Sequence, residues 1–209
     1  MTNEFPFAKA VKQELTRTLN WMLESVLKLD DQQIEVFGKE ILGTQNEKGE
    51  NVKDMVLGGW GRSGFVAEGF AMRLAQLKFN ARYITEPTVP PTEKEDLFII
   101  VSGSGESFTR AIETALKIGV RVIMITSLPD SIGGRSSDTK LIVPGRESEE
   151  GSSLSFLERQ MRGIPALPLG TAFEDLTQLL LDSVIGVIAV MKQKSNEDMQ
   201  KEHSNVPPE

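Results

Sequence analysis

Between about Phe7 and Leu29 the apolar residues Val11, Leu15, Leu19, Met22 and Val26 recur every three or four positions, the stripe of an amphipathic helix. A second helix follows. Ile34, Phe37 and Ile41 form its face, Asp30 or Asp31 can cap it, and the polar, glycine-bounded stretch from Gly43 to Gly49 ends it. From Met55 onward the pattern changes to short apolar runs with little alternation: Met55 to Leu57, Ala81 to Ile84, Leu97 to Val101, Val122 to Thr126 and Leu141 to Val143. Such runs predict five strands buried on both faces. Helical spacing over about Gly64 to Leu77 and Phe108 to Ile118, the turn-rich segment Pro87 to Glu95, and a short turn or helix around Ser131 to Ser137 separate them. Strands alternating with helices predict an α/β fold with a parallel sheet.

After Pro144 the periodicity fades through a polar segment, Arg146 to Ser155, then Phe156 to Arg162 and a proline-punctuated loop, Gly163 to Leu169. Long irregular loops of this kind are usually functional or mobile. Helix resumes from Thr171 to about Lys192, with Phe173, Leu176, Leu179 to Leu181, Val184, Ile185, Val187, Ile188, Val190 and Met191 around most of its axis. One sheet face cannot cover so much apolar surface, so part of this helix is expected in a subunit contact. Glu174, Asp175 and Asp182 interrupt it too often for a membrane span. The polar tail, Ser195 to Glu209, reads as disordered unless a partner orders it. The length suits a single domain, residues 1–209, with residues 1–50 as an N-terminal helical extension and 195–209 as a tail that can complete a site.

Charge narrows the partners. With 23 basic against 30 acidic residues, a net charge of -7 and no basic cluster, neither nucleic acid nor an anionic membrane is expected to bind. The chain has no cysteine, which removes disulfides, thiol catalysis and thiolate metal sites; with His203 as the only histidine, no metal site is expected. Met1 to Pro6 lacks the basic and apolar regions of a signal peptide, so a cytoplasmic location is expected.

The chemistry gathers at strand ends. Ser102-Gly103-Ser104-Gly105-Glu106-Ser107-Phe108-Thr109 follows the third strand and opens a helix. Free backbone N–H groups, the positive end of the helix dipole, close-approaching glycines and small hydroxyls make such a turn a phosphate cradle. No Lys follows the glycines, so it is not a nucleotide P-loop; a plain surface connection is the alternative. The first strand leads into Gly58-Gly59-Trp60-Gly61-Arg62-Ser63-Gly64, which contains a formal GxGxxG with Glu86 further on, the fingerprint of a dinucleotide site. Bulky Trp60 and the second anion-type loop favour one compact ligand instead, met by Arg62, Ser63, Ser102 and Ser104. Glu174, after Gly170 and Thr171, suits a capping box or a general base, and the local sequence leaves both open. His203 is a solvated tail residue, or an acid/base group if the tail folds over a site.

Together, Gly61-Arg62-Ser63-Gly64 with Phe70-Ala71-Met72-Arg73-Leu74, Ser102 to Glu106, Ile125-Thr126-Ser127, Pro168 to Glu174, Leu181 to Ile185 and the tail resemble the sugar isomerase (SIS) domain family. Within it, the combination is most similar to the 6-phospho-3-hexuloisomerases. The resemblance implies an SIS-type three-layer αβα sandwich, flavodoxin- or Rossmann-like, with a five-stranded parallel sheet. It further implies interconversion of 3-hexulose 6-phosphate and fructose 6-phosphate through a cis-enediol, as used in formaldehyde fixation by the ribulose monophosphate route. No cofactor and a homotetramer are implied as well. By motif position, Ser102, Gly103, Ser104, Gly105, Glu106 and Ser107 would bind the phosphate, with Ser63 at the substrate and Glu174 as proton acceptor. From the residues' own chemistry, Arg62 is expected to polarise a substrate oxygen and His203, if a neighbouring subunit brings it in, to act as an acid/base group. Trp60, Ser107 and Pro207 depart from the family pattern. A non-catalytic sugar-phosphate sensor and a nucleotide-dependent oxidoreductase are the rival classes.

Overall fold

The structure, a computed structural model, describes residues 6–146 and 154–203. The expectations for 147–153 and for 204–209, Pro207 included, lie outside the described residues. Helices α1 (Phe7–Val26) and α2 (Asp31–Leu42) precede β1 (Met55–Gly59), α3 (Arg62–Gln76), β2 (Ala81–Tyr83), β3 (Leu97–Val101), α4 (Thr109–Ile118), β4 (Arg121–Thr126), α5 (Ile132–Ser136) and β5 (Thr139–Ile142). Then come α6 (Phe156–Met161), α7 (Thr171–Met191) and α8 (Asn196–Lys201). All five strands are parallel, in the order β2-β1-β3-β4-β5. The chain turns one way from β1 and the other way from β3, so the crevice between their carboxyl ends is the topological switch point where open α/β sheets take ligands.

Strand alternation splits the core into two layers. Met55, Leu57, Leu97, Ile99, Val101, Ile123 and Ile125 join Phe70, Leu74, Phe173 and Leu181 on the face covered by α3 and α7. Val56, Phe98, Ile100, Val122 and Met124 join Ile112 and Ala115 of α4 on the other. Asp30 Oδ1 accepts from Gln33 N at 2.9 Å, which decides the cap of α2.

Several boundaries move. β5 spans Thr139–Ile142 rather than Leu141 to Val143, and β2 ends at Tyr83. α3 begins at Arg62, which places Arg62 and Ser63 in a helix first turn. The tail is not wholly irregular: Ser195 and Asp198 form a reciprocal capping box that starts α8. The stripe of α1 is helical as expected, yet Val11, Leu15, Leu19 and Leu23 are about half or more exposed. Leu179, Val187, Val190 and Met191 of α7 are exposed too, the surplus its sequence foretold. Among the described residues no helix is long and apolar enough to cross a membrane.

Candidate active site

Three of the helices that begin at the carboxyl edge of the sheet carry no side-chain cap: α3 after Gly61, α4 after Phe108 and α7 after Gly170. Of the other helices, α2, α5, α6 and α8 are capped by Asp30, Ser131, Ser155 and Ser195, and α1 after Pro6 is not. The uncapped starts at the sheet edge leave N–H groups and positive dipole ends aimed at one crevice, which suits an anion.

The Ser102 loop is held from behind. Ser102 N donates to Ile125 O at 3.0 Å, and Gly105 N donates to Ser102 O at 2.9 Å. The Gly103 carbonyl accepts from Ser127 N and Thr126 Oγ1, each at 3.2 Å, and the Gly105 carbonyl accepts from Gly133 N at 2.8 Å. With these carbonyls engaged, the N–H groups of Gly103, Ser104 and Ser107 have no acceptor among the described residues. Free amides in such a turn, here two of them successive, suit an anion. The Glu106 carboxylate accepts from Ile132 N at 3.3 Å, so its side chain supports α5.

The Gly59 loop adjoins it. Trp60 stacks on Phe108 with ring centroids 5.0 Å apart and planes 4° apart, joining the two loops by an aromatic pair. Two glycines of the dinucleotide-like motif, Gly59 and Gly64, are accounted for by packing: a Cβ on Gly64 would lie 2.8 Å from Tyr83 Oη and 2.9 Å from Gly59 O, while Gly61 is set by its φ of +57°. Tyr83 Oη donates to that same carbonyl at 2.6 Å. Glu86 accepts from Tyr83 N at 2.9 Å, closing a turn.

The capping-box reading of Glu174 fails here. The residue lies one position beyond N3 and α7 has no side-chain cap, so it is not a capping-box residue. Its carboxylate instead accepts from Arg62 Nε at 2.7 Å and from buried Ser63 Oγ at 3.3 Å, while Arg62 Nη2 donates to Asp175 at 2.7 Å. The Glu174 side chain is only 12% exposed against 55% for Arg62. The hydrogen bond from Arg62 to Glu174, opposed by slight burial and reinforced by Asp175, raises the arginine's already high pKa and keeps it charged. Arg62 is therefore committed to two carboxylates. Phe173 packs over Gly103, where a Cβ would lie 2.9 Å from its ring, so the first turn of α7 sits against the Ser102 loop.

A family model of the SIS domain matches residues 50–162, more than half of the 209. The chain belongs to the SIS domain family. It is similar to an uncharacterised protein of Aeropyrum pernix, at 37% identity over 190 residues covering 89% of this chain and 87% of the other. It is also similar to the 3-hexulose-6-phosphate isomerase of Bacillus subtilis, at 34% identity over 172 residues covering 77% of this chain and 88% of that one. A solved structure from Methanococcus jannaschii, inferred to be a 3-hexulose-6-phosphate isomerase, shares the fold with a TM-score of 0.71 at 24% identity, covering 95% and 99% of the two chains.

In this SIS domain the structure brings together Arg62, Ser63, the Ser102 to Ser107 loop and Glu174. It does not bring His203 to them. His203 borders a hollow of about 610 Å³ between α3, α7 and α8, beside Arg73, Asp182 and Ile185. Ile185 lies about three turns beyond Glu174, roughly 16 Å along the helix at 1.5 Å per residue. Sequence reasoning missed Asp175 and Arg146. The signal for Arg146 was its place after a Pro-Gly turn at the carboxyl end of the last strand.

Proposed function

We propose that this protein is a sugar-phosphate isomerase that interconverts 3-hexulose 6-phosphate and fructose 6-phosphate. The observation that carries this reading is a largely buried carboxylate, Glu174, at one of three uncapped helix starts around a free-amide loop. Phosphate in the Ser102 to Ser107 loop would supply remote binding energy and fix the reacting carbons beside Glu174. Glu174 takes the proton from C2 of the 3-ketose, whose C2–H electrons form the C2=C3 enediolate with charge on O3. The O2 hydroxyl proton passes to O3, the carbonyl reforms at C2, and Glu174 returns its proton to C3. No atom is gained or lost. Ser63 and Arg62 orient the base, and the helix dipoles stabilise the developing negative charge. The similarity to the Bacillus subtilis isomerase supports the choice of substrate.

Incubation of the protein with fructose 6-phosphate in deuterated water should give solvent exchange at the carbon next to the carbonyl and a new ketohexose phosphate. Binding without either product would leave a sensor; a thermal shift with nicotinamide dinucleotides alone would sink the isomerase.

The same proposal includes a cytoplasmic homotetramer, supported by the exposed apolar residues on α1 and α7. His203 would then meet a Glu174 only from a neighbouring copy. Multi-angle light scattering should give four times the 23.1 kDa chain mass; a monomer at micromolar concentration would remove both the tetramer and that role for His203.

A further inference from the structure

The Ser102 loop offers amides and hydroxyls to a dianion but no positive side chain of its own, in a chain of net charge -7. Arg62 is bound to Glu174 and Asp175. Of the other arginines flanking the loop, Arg110 lines a separate hollow with Val56 and Phe98, and Arg135 donates to the Asp130 carbonyl. Arg146 is different. Its guanidinium makes no hydrogen bond or ion pair among the described residues, and its position is set by three neighbours.

The backbone is clamped first. Gly145 has φ +127°, and a Cβ there would overlap Phe173 N and lie 2.6 Å from Phe173 Cα, so the Pro144-Gly145 turn presses on the first turn of α7. Arg146 N donates to Ser127 Oγ at 3.0 Å, and Ser127 Oγ donates to Val143 O at 2.7 Å. The side chain then crosses two glycines. A Cβ on Gly103 would lie 3.1 Å from Arg146 Cδ, and a Cβ on Gly170 would lie 3.6 Å from Arg146 Nη1 and 3.7 Å from Glu174 Oε1. The arginine stem thus lies over the Ser102 loop, and its charged end and the carboxylate of the proposed base both border Gly170. A cation in that gap, held by its backbone but unpaired at its tip, has the planar donors that sugar-phosphate oxygens accept.

We propose that Arg146 is a further substrate-binding residue, which grips the anionic sugar phosphate between the Ser102 loop and Glu174. The assignment rests on the phosphosugar reading of the site but not on turnover. It acts on binding, so its loss raises KM and leaves kcat and its pH profile in place.

The test compares the intact wild-type chain with Arg146→Ala and Arg146→Lys. Calorimetry with fructose 6-phosphate and with inorganic phosphate would be run beside isomerisation kinetics and thermal melts. Arg146→Ala should melt like wild type, bind both probes about 10-fold or more weakly, and raise KM to match, with Arg146→Lys recovering part of the affinity. Affinities for both probes within about twofold of wild type in Arg146→Ala would overturn the proposal, as would a loss confined to kcat. If wild type binds fructose 6-phosphate through Arg146 but does not convert it, the isomerase fails and Arg146 stands. If it converts fructose 6-phosphate with Arg146 indifferent, the isomerase stands and Arg146 fails.

Discussion

Glu174→Gln should lower the isomerisation rate about 10²- to 10⁴-fold, the usual contribution of a positioned general base, while fructose 6-phosphate still binds within a few fold. The amide keeps the shape of the carboxylate: its oxygen can accept from Arg62 Nε and its NH2 can donate to Ser63 Oγ, so orientation survives and proton uptake does not. Two readouts separate catalysis from structure. Calorimetry of fructose 6-phosphate should change little, and deuterium exchange at the carbon beside the carbonyl should fall with turnover. Exchange at the wild-type rate in Glu174→Gln would place the base elsewhere. A collapse of affinity together with rate would make Glu174 a structural partner of Arg62 instead.

The second large effect is expected at Gly105. Its φ of +64° lies in the left-handed region, and an added Cβ would overlap Ser131 Oγ and lie 2.6 Å from Ser131 Cβ. Ser131 is not free to yield, because its Oγ accepts from Gly134 N at 3.1 Å to cap α5 and donates to Leu128 O at 2.7 Å. Gly105→Ala therefore costs about 1–2 kcal/mol of backbone strain and about 1 kcal/mol of cap. The melting temperature should drop by roughly 4–12 °C for a chain of this size. The loop amides move with the backbone, so inorganic phosphate binding should weaken as well. Gly105→Ala with Ser131→Gly removes the overlap and should be more stable than the two single effects added together. A single Gly105→Ala that melts like wild type would mean that the loop is held by something other than this contact.

These effects trace back unequally to the sequence. The strands were readable because a parallel strand covered on both faces must be apolar along its length, as Leu97 to Val101 is. The loops were readable because Gly and Ser crowd the ends of β1 and β3, directly before helix starts. α1 was readable as a helix, but its stripe could not say what it faces, and in this chain it faces outward. The partial order of the tail escaped because a two-turn helix started by Ser195 and Asp198 carries no apolar period.

Glu174 shows the limit most directly. Locally, a carboxylate near Gly170 fits a capping box or a base, and the neighbouring residues do not choose between them. Its partner Arg62 is 112 residues away. Arg146 was hidden in the same way, in a polar segment whose neighbours in space are Gly103, Gly170 and Glu174. By itself the sequence determined the order of strands and helices, the glycine- and serine-rich turns and the acidic, cysteine-free surroundings, all properties carried by neighbouring residues. Only the tertiary structure decided which turns share a crevice, which helix starts stay uncapped, which arginine is spent on Glu174 and that His203 lies at the far end of α7. Those depend on contacts between residues far apart in the chain, and short-range periodicity carries no record of them.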